Sequence, residues 1–496
     1  MSRTDRNENN SDSSDNRLRQ LGYKPTLERS LKFLDNFGIA FCYMSPVVGV
    51  YSLFGYGLST GGPAFFWTLP IVALGQILVA LIFAEVASSY PLSGSLYHWA
   101  KMLRGPRYGW LAGWIYGCAL LTSIAAIDYA GAPYVAQTLG IDPKPNSIYL
   151  ITFMMLIAHT AFNIFGVRVA AKITDLGVYV EVAATLVLAL VLFANGTTQP
   201  VSVLFDTAGV QGNGPYLPCF LAAMLAPIWV LFGFESAGSV AEEVVDATNK
   251  VPRAIIYSLV GAVFVTALIY LALILSAPSM SAAMKDPAKT IAIIFEARIG
   301  RTMMLIFMAL VSFAFFSCST AIQAVSARLV FAYARDGMIP FSHLLSRVSD
   351  KHKAPIPALI LTGIVGIVTV VLTQINIGEV NANALLMSYS TLGIYLSFQM
   401  VVLAYLYAKL KGWKPVGGFT LGKWGNVSAS IALCYGVLSI IDLAWPRPLD
   451  KIAGWFPLLS VVIIVLSGLA FRCISSTDDS AKIEQAIERV PELEGE

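Results

Sequence analysis

Acidic side chains lie deep inside long apolar stretches of this chain, at Asp128, Glu181 and Glu235. A charge held away from water costs about 3 kcal/mol or more, so each of these acids needs a partner or a ligand. Such an acid can bind a cation, exchange a proton or accept hydrogen bonds from a neighbouring helix. Glu85 lies nearer the end of its stretch, where loop amides and basic residues can satisfy it.

The residues around Asp128 leave room for a ligand. In a helix, the small residues Ala125 and Ala132 share one face with Asp128. Asp128 is therefore a candidate partner for the ammonium group of a ligand. The alternative is an acid that is hydrogen-bonded to a neighbouring helix. His159 and Asn163 lie one helical turn apart, and we expect them to tie helices together.

Helix-breaking residues interrupt two of the apolar stretches. The first interruption comprises Ser45, Pro46, Val47, Val48 and Gly49, and the second comprises Phe232, Gly233, Phe234, Glu235 and Ser236. Proline removes a backbone donor, and glycine lowers helix stability. Free amides at a half-helix N-terminus suit a carboxylate, and free carbonyls at the opposite end suit an ammonium group or a cation. We therefore predict that these residues bind a small ligand, with ordinary kinks as the alternative.

Further residues near the second interruption are candidates for gating and coupling. Trp229 lies six residues before Glu235 and can close over a ligand or pack as an ordinary aromatic, and we favour the gate. Buried carboxylates such as Glu235 and Glu181 can exchange a proton near neutral pH. Glu181 can also bind a cation or form an internal pair. Ser317 and Ser319 can face a cavity or bond back to their own helix, which we favour.

The elements that position these residues follow from composition. The chain has 496 residues, of which 56% are hydrophobic and 13% charged, and its mean hydropathy is +0.69. Soluble domains carry about 25% charged residues, so the chain falls in the membrane class. About twelve apolar windows are long enough for spanning helices, and they are too long for the strands of a barrel. Their limits are 33–58, 64–89, 109–139, 147–166, 172–194, 216–240, 255–277, 302–333, 356–375, 383–408, 427–446 and 453–472.

The distribution of basic residues predicts the orientation. The loop with Lys101, Arg104 and Arg107 is basic, whereas the next loop carries Lys144 alone. By the positive-inside rule, both termini are cytoplasmic. The loops at 250–253 and 335–337 can latch the cytoplasmic side or simply follow the same rule.

The chain divides into one membrane domain and two polar tails. We expect a disordered cytoplasmic tail over residues 1–32, a transmembrane helical domain over 33–474, and an acidic cytoplasmic tail over 475–496. The short tails favour a multi-pass protein of the cell membrane, and a bacterial inner membrane in particular.

Several classes of function find no support in the sequence. The six cysteines form no C-x-x-C pair and lie in apolar runs, so we expect neither disulfides nor a metal site. The net charge of +3 does not point to nucleic acid. No G-x-x-x-x-G-K-[ST] motif, H-E-x-x-H pair or serine-nucleophile motif is present. We therefore expect no ATP drive, no enzyme activity and no cofactor.

Four stretches resemble signatures of the amino acid–polyamine–organocation superfamily. They are Glu85–Trp99 (EVASSYPLSGSLYHW) after the second helix, Gly233–Ser236 with Glu242, Glu243 and Val251–Ile255 around the sixth, Ser326–Arg328 with Ala334–Pro340 after the eighth, and Asn163–Arg168 after the fourth. The set resembles most the amino acid/choline branch, which includes GABA permeases. The resemblance covers residues 28 to 475.

The resemblance implies a fold and a function. It implies the LeuT-type fold, with two inverted five-helix repeats whose helices 1 and 6 are broken, and two further C-terminal helices. It implies that the segments Ser45–Val50 and Phe232–Ser236 bind substrate and that Trp229 occludes it. Some proton-coupled relatives carry a lysine on helix five, where this chain has Glu181. Proton coupling through Glu235 or Glu181, sodium coupling and exchange therefore all stay open.

The sequence thus favours a secondary transporter of an amino acid, GABA or a related amine, working by alternating access. The first alternative is a transporter of choline, ethanolamine or a polyamine, for which an acidic pocket at Asp128 is suited. The second is a membrane receptor that binds amino acids without net transport. The sequence does not fix the oligomeric state.

Overall fold

The computed structural model describes residues 14–165, 167–287, 289–373, 382–445, 455 and 458–470. Within them, nine helices are long and apolar enough to cross a membrane. Three shorter apolar helices, Leu217–Val230, Ile356–Leu372 and Leu458–Ala470, accompany them. Together they correspond to the twelve windows of the sequence. The predicted all-α membrane fold is confirmed.

The helices follow one another along the chain with short connections. They are α1 Phe33–Met44, α2 Pro46–Gly61, α3 Thr68–Ser89, α4 Leu96–Arg104, α5 Pro106–Leu139, α6 Pro145–Ile164, α7 Val167–Ala194, α8 Leu217–Ala223, α9 Leu225–Val230, α10 Ser236–Ser239, α11 Ala247–Leu275, α12 Met280–Lys285, α13 Thr290–Arg335, α14 Ser342–Leu345, α15 Ile356–Thr373, α16 Ala382–Leu410, α17 Gly425–Ala444 and α18 Leu458–Ala470. Short 3-10 turns cover Pro63–Trp67, Val201–Phe205, Ala241–Glu243 and Gly422–Trp424.

The first span is broken at Ser45, as predicted. Ser45 has a left-handed backbone, with φ 36° and ψ 86°, and separates α1 from α2. Pro46 then begins α2 at a position whose amide would be unpaired in any case, so its missing N–H costs little. The hydroxyl of Ser45 accepts a hydrogen bond from the amide of Val48 at 3.2 Å and caps the new helix.

The sixth span is broken over residues 231–235, between α9 and α10. Gly233 lies in this break with φ +119°, a backbone that side chains rarely adopt. An added Cβ would lie 2.3 Å from a ring carbon of Tyr43 in α1. The two broken spans also approach each other at Gly49, where a Cβ would lie 2.5 Å from Val230. Glycine is therefore required where the two breaks meet.

The unbroken helices surround this central pair. α5 packs against α13 and α16, while α11 packs against α1 and α3. The outer helices expose apolar faces: Leu150, Met154 and Ile157 follow one face of α6, and each is at least 60% exposed. Such faces match a lipid environment.

The N-terminal segment differs from the prediction. Residues 14–20 are helical, and Leu18 and Leu21 pack on Leu92 and Met102. Further along the segment, Leu31 forms an isolated β-bridge with Val244. The expectation of disorder over 1–32 is therefore wrong for residues 14–32, because scattered leucines in a polar segment still find an apolar groove. Residues 1–13 and the predicted acidic tail 475–496 lie outside the described residues.

The eighth span is longer than the predicted window 302–333. The helix α13 covers 46 residues, from Thr290 to Arg335, and bends at Gly300, where φ is +73°. The charged residues Glu296, Arg298 and Arg301 lowered the apparent hydropathy of its first turns, although the backbone there is helical on both sides of the bend.

Candidate functional site

The two helix breaks form the centre of the candidate site. Ser45, the residue between α1 and α2, is fully buried, and its hydroxyl donates a hydrogen bond to Oε1 of Glu181 in α7 at 2.5 Å. Glu181 thus forms the internal pair that was one of its predicted alternatives. A small cavity beside this pair is lined by Val47, Glu181 and Thr185 and by apolar side chains of α11 and α13.

Glu235 is held from two sides at the break in the sixth span. Its Oε1 accepts a hydrogen bond from the hydroxyl of Tyr116 in α5 at 2.8 Å, and its Oε2 accepts one from the amide of Gly233 at 3.0 Å. Both contacts hold the carboxylate in place at the break. Tyr116 was missed by the sequence analysis, because a tyrosine inside an apolar run carries no signal until its partner on another helix is known.

A buried hydroxyl at the break has no protein partner. Ser236 is 0% exposed, and its Oγ makes no hydrogen bond within the described part of the chain. Native proteins rarely leave such a group unpaired, so Ser236 is a candidate hydrogen-bond donor to a bound water molecule or ligand. Ser236 is the first residue of α10, and its own amide donates to the carbonyl of Gly233 at 3.0 Å.

Aromatic rings lie beside Glu235. The ring of Phe232 packs edge-on against Trp229, with centroids 5.4 Å apart, and against Tyr43 at 6.2 Å. Phe234 packs elsewhere, against Phe83 and Phe398. Phe232 and Trp229 therefore stand at the break, whereas Phe234 belongs to the apolar packing behind it.

Asp128 lies in a different polar cluster. Its two oxygens accept a hydrogen bond from Ser319 at 2.5 Å and contact Nε2 of His159 at 2.8 Å. The sequence analysis offered two roles for Asp128, an ammonium site or an acid that is hydrogen-bonded to a neighbouring helix. These contacts match the second role. Ser319 faces the cluster, contrary to the preferred alternative, whereas Ser317 bonds back to Ala314 in its own helix at 3.0 Å.

Ion pairs join the helix ends on the side of the N-terminal segment. The carboxylate of Glu242 accepts hydrogen bonds from both terminal guanidinium nitrogens of Arg335, each at 2.8 Å. Arg328 binds Glu243 at 2.8 Å and 3.1 Å. Asp336 accepts a hydrogen bond from Lys101 at 2.6 Å. The charged end of α13 is thus tied to other elements, whereas Arg253 is exposed.

Glu85 has the kind of partners that were expected of it. Its carboxylate accepts hydrogen bonds from the hydroxyl of Tyr405, from Lys409 at 3.2 Å, and from the hydroxyl of Thr420 at 3.0 Å. It therefore holds α3 to α16 and the following loop. Across the described residues, no group of three or more His, Cys, Asp or Glu side chains could hold a metal ion.

Comparison with known proteins relates this arrangement to a family. Residues 31–469 match the family described as "Amino acid permease". The amino-acid permease BAT1 of Arabidopsis thaliana is 27% identical over 88% of this chain and 90% of its own length. The GABA-specific permease of Saccharomyces cerevisiae is 26% identical over 86% of this chain and 78% of its own length. The thiamine transporter thi9 of Schizosaccharomyces pombe is 24% identical over 94% and 85%.

A solved structure supports the fold independently. The manganese transporter of Eremococcus coleocola superimposes with a TM-score of 0.59 at 16% identity, covering 92% of this chain and 94% of that one. At this identity the likeness shows the fold alone. The relatives named here are eukaryotic, and they lend no support to a bacterial origin. The matched profile spans nearly the whole helical bundle, and this chain therefore belongs to the amino acid permease family.

Proposed function

We propose that the chain is a secondary transporter of an amino acid, GABA or a related amine, and that it works by alternating access. The observation that carries the proposal is the pair of facing breaks at Ser45 and at 231–235, with the unpartnered hydroxyl of Ser236 at the second break. The relatives named as permeases of amino acids and GABA support the substrate class.

In this proposal the breaks bind the two ends of a zwitterion. The substrate carboxylate binds beside the start of α2, where the positive end of the helix dipole points, and accepts a hydrogen bond from the hydroxyl of Ser236. The substrate ammonium binds carbonyls of the break and the carboxylate of Glu235. Trp229 and Phe232 close over the bound molecule. Asp128 is a less suitable ammonium site, since it lies in a separate polar cluster with His159 and Ser319 rather than at a helix break.

Glu235 and Glu181 are the proposed coupling groups at the breaks. Each bridges a broken span to an unbroken helix, Glu235 through Tyr116 and Glu181 through Ser45. A change of protonation, or a bound cation, would weaken these bridges and allow the half-helices to tilt. The ion pairs of Glu242 and Glu243 would then open and close on the cytoplasmic side, which is the side that the positive-inside rule assigns to both termini.

The experiment is uptake into proteoliposomes of radiolabelled GABA, alanine and choline, with and without an inward proton gradient. We expect accumulation of a zwitterion, lost in Glu235→Gln and retained in Glu296→Gln, an acid at the exposed start of α13. Binding that stabilises the protein without any uptake would contradict transport and favour a receptor.

An organic cation without a carboxylate is the second candidate. The aromatic rings of Phe232, Trp229 and Tyr43 surround the break, and aromatic faces attract quaternary ammonium groups. A relative is named as a thiamine transporter, and thiamine is such a cation. Uptake of choline or thiamine alone, abolished by Trp229→Ala, would select this candidate over the first.

A further inference from the structure

A buried polar cluster lies apart from the helix breaks and joins three helices. It contains Asp128 of α5, His159 of α6, and Ser319 and Gln323 of α13, all 0% exposed. Ionisable groups are costly to bury in a membrane protein, and those that occur there commonly have a function. The hydrogen bonds of this cluster determine how many protons it holds.

The amide of Gln323 fixes one nitrogen of the imidazole. Asn163 points its Nδ2 at the carbonyls of His159 and Thr320, at 3.0 Å and 3.1 Å, so this atom is an NH₂ donor. The atom of Gln323 that lies 3.1 Å from Nδ2 of Asn163 must then be the acceptor Oε1. The other amide atom of Gln323, Nε2, donates to the hydroxyl of Thr160 at 2.6 Å. Nδ1 of His159 lies 2.8 Å from the same Oε1, and it therefore carries a hydrogen.

The other imidazole nitrogen faces the acid. In a neutral imidazole with hydrogen on Nδ1, Nε2 is an acceptor, and an ionised carboxylate offers acceptors only. Nε2 of His159 nevertheless lies 2.8 Å from Oδ2 of Asp128, and Ser319 already donates to Oδ1. One proton must lie between the two residues. The pair then has no net charge, whereas loss of that proton leaves an uncompensated negative charge in the protein interior.

Within the described part of the chain, His159 is the basic side chain that contacts Asp128. No lysine or arginine occurs in α6 or α15, in α5 after Arg107, or in α13 between Arg301 and Arg328. The one lysine of α7, Lys172, is exposed.

The other titratable groups near the cluster are few. Cys318 of α13 faces both Asp128 and Glu181. Tyr389 of α16 contacts Cys118, about 15 Å along α5 from Asp128.

Tyr51 of α2 packs on Tyr134, further along α5. α15, which meets the cluster through Gly363, carries no ionisable side chain.

We propose that Asp128 and His159 form a proton-binding site that carries the coupling proton, separate from Glu235 and Glu181. The coupling role rests on the proposed transport function, whereas the bound proton does not. Beside Ser319, the thiol of Cys318 donates to the carbonyl of Tyr43, the next-to-last residue of α1. A change of charge in the pair is thereby transmitted to the backbone just before the break at Ser45.

A spectroscopic experiment tests the proton without transport. The chain has four histidines, so ¹⁵N-histidine labelling with His159→Gln as the assignment blank isolates one imidazole. At pH 7 we expect the Nε2 signal of His159 in the wild type to lie at the chemical shift of a nitrogen that shares a proton with the carboxyl group, and to move to that of an ordinary acceptor nitrogen in Asp128→Asn. The new amide can donate to Nε2 while Nδ1–H keeps its bond to Gln323, so this variant retains the hydrogen bonds. An Nε2 signal at the same chemical shift in the wild type and in Asp128→Asn overturns the proposal.

A transport experiment tests coupling. For the probe that the wild type carries, among GABA, alanine and choline, we measure gradient-driven uptake relative to counterflow. We expect this ratio to fall about tenfold in Asp128→Asn and in His159→Gln, and to stay near wild type in Thr160→Ser. A wild-type ratio near one, or variants that keep the wild-type ratio, overturn the coupling role. If both variants bind no substrate while folded, the cluster is a substrate site and the proposal fails. If the wild type shows no counterflow of any probe, the transport proposal has failed, and the comparison of the two spectra alone decides the proton site.

Discussion

The hydroxyl of Tyr116 donates a hydrogen bond to Oε1 of Glu235 at 2.8 Å, which ties the break of the sixth span to α5. Both residues are fully buried. Because the donor is on an unbroken helix and the acceptor lies in the break, we expect this contact to stretch or break when the adjoining half-helix moves.

Removing this donor should slow transport. In Tyr116→Phe, Glu235 loses its side-chain donor and keeps the amide of Gly233. A hydrogen bond to a charged group is worth about 1.5–3 kcal/mol, so we expect roughly a tenfold or larger loss of uptake. Tyr129→Phe, in the same helix but half-buried beside Tyr149, is the control. Equal uptake by the two variants would contradict a role for the Tyr116–Glu235 contact.

The glycine at the second break should tolerate no side chain. Gly233→Ala combines a backbone at φ +119° with a Cβ placed 2.3 Å from the ring of Tyr43. Gly140→Ala has a similar left-handed backbone, at φ +68°, but open space around it. We expect the control to cost about 1–2 kcal/mol of stability and Gly233→Ala to cost more and to abolish uptake. Equal thermal unfolding midpoints and equal uptake would refute the steric argument.

The serine between α1 and α2 should stabilise the protein through the two hydrogen bonds that its hydroxyl makes. Ser45→Ala removes the bond to the amide of Val48 and leaves a buried carboxylate at Glu181 without its serine. We expect a loss of about 1–3 kcal/mol in the free energy of unfolding and weaker uptake. Ser52→Ala, whose hydroxyl bonds back to Val48 inside α2, should change the unfolding midpoint little. The prediction fails if the two alanine variants unfold alike.

The ion pair between Asp336 and Lys101 should make stability depend on pH. Burial raises the pKa of Asp336, but His98 and Lys101 outweigh this effect and hold the pKa well below its usual range. The folded-state pKa is thus below the unfolded value of about 3.9, so this stabilisation is complete above about pH 5 and is lost as the pH falls below that value. Wild-type unfolding midpoints in detergent should therefore drop in acid, more than those of Asp336→Asn.

The same pair offers a test at neutral pH. Asp336→Asn leaves Lys101, which is 4% exposed, without its charge partner, and should cost about 3–5 kcal/mol. Adding Lys101→Met should restore most of the loss. Asp142→Asn removes an exposed pair with Lys144 and should cost less than about 1 kcal/mol. A double variant no more stable than the single one would show that the charge is not the cause.

The sequence by itself determined the elements and the positions of the breaks. Long apolar windows permit only helices in a bilayer, since every backbone group must be paired within its own segment. Ser45-Pro46 and Phe232-Gly233 interrupt that pairing locally, so their effect could be predicted without knowing any neighbour. The buried leucines of residues 14–32 could not, because isolated apolar residues in a polar segment form no pattern.

Only the tertiary structure decided which polar groups meet. Ser45 and Glu181 are separated by 136 residues, Tyr116 and Glu235 by 119, and Asp128 and Ser319 by 191. The sequence showed which acids are costly to bury. Burying a serine or tyrosine in an apolar helix costs little free energy, so nothing in the sequence showed which of these residues would be partners. The partner of a buried charge depends on which helix faces pack together, and that is set by the sum of many apolar contacts rather than by any local pattern.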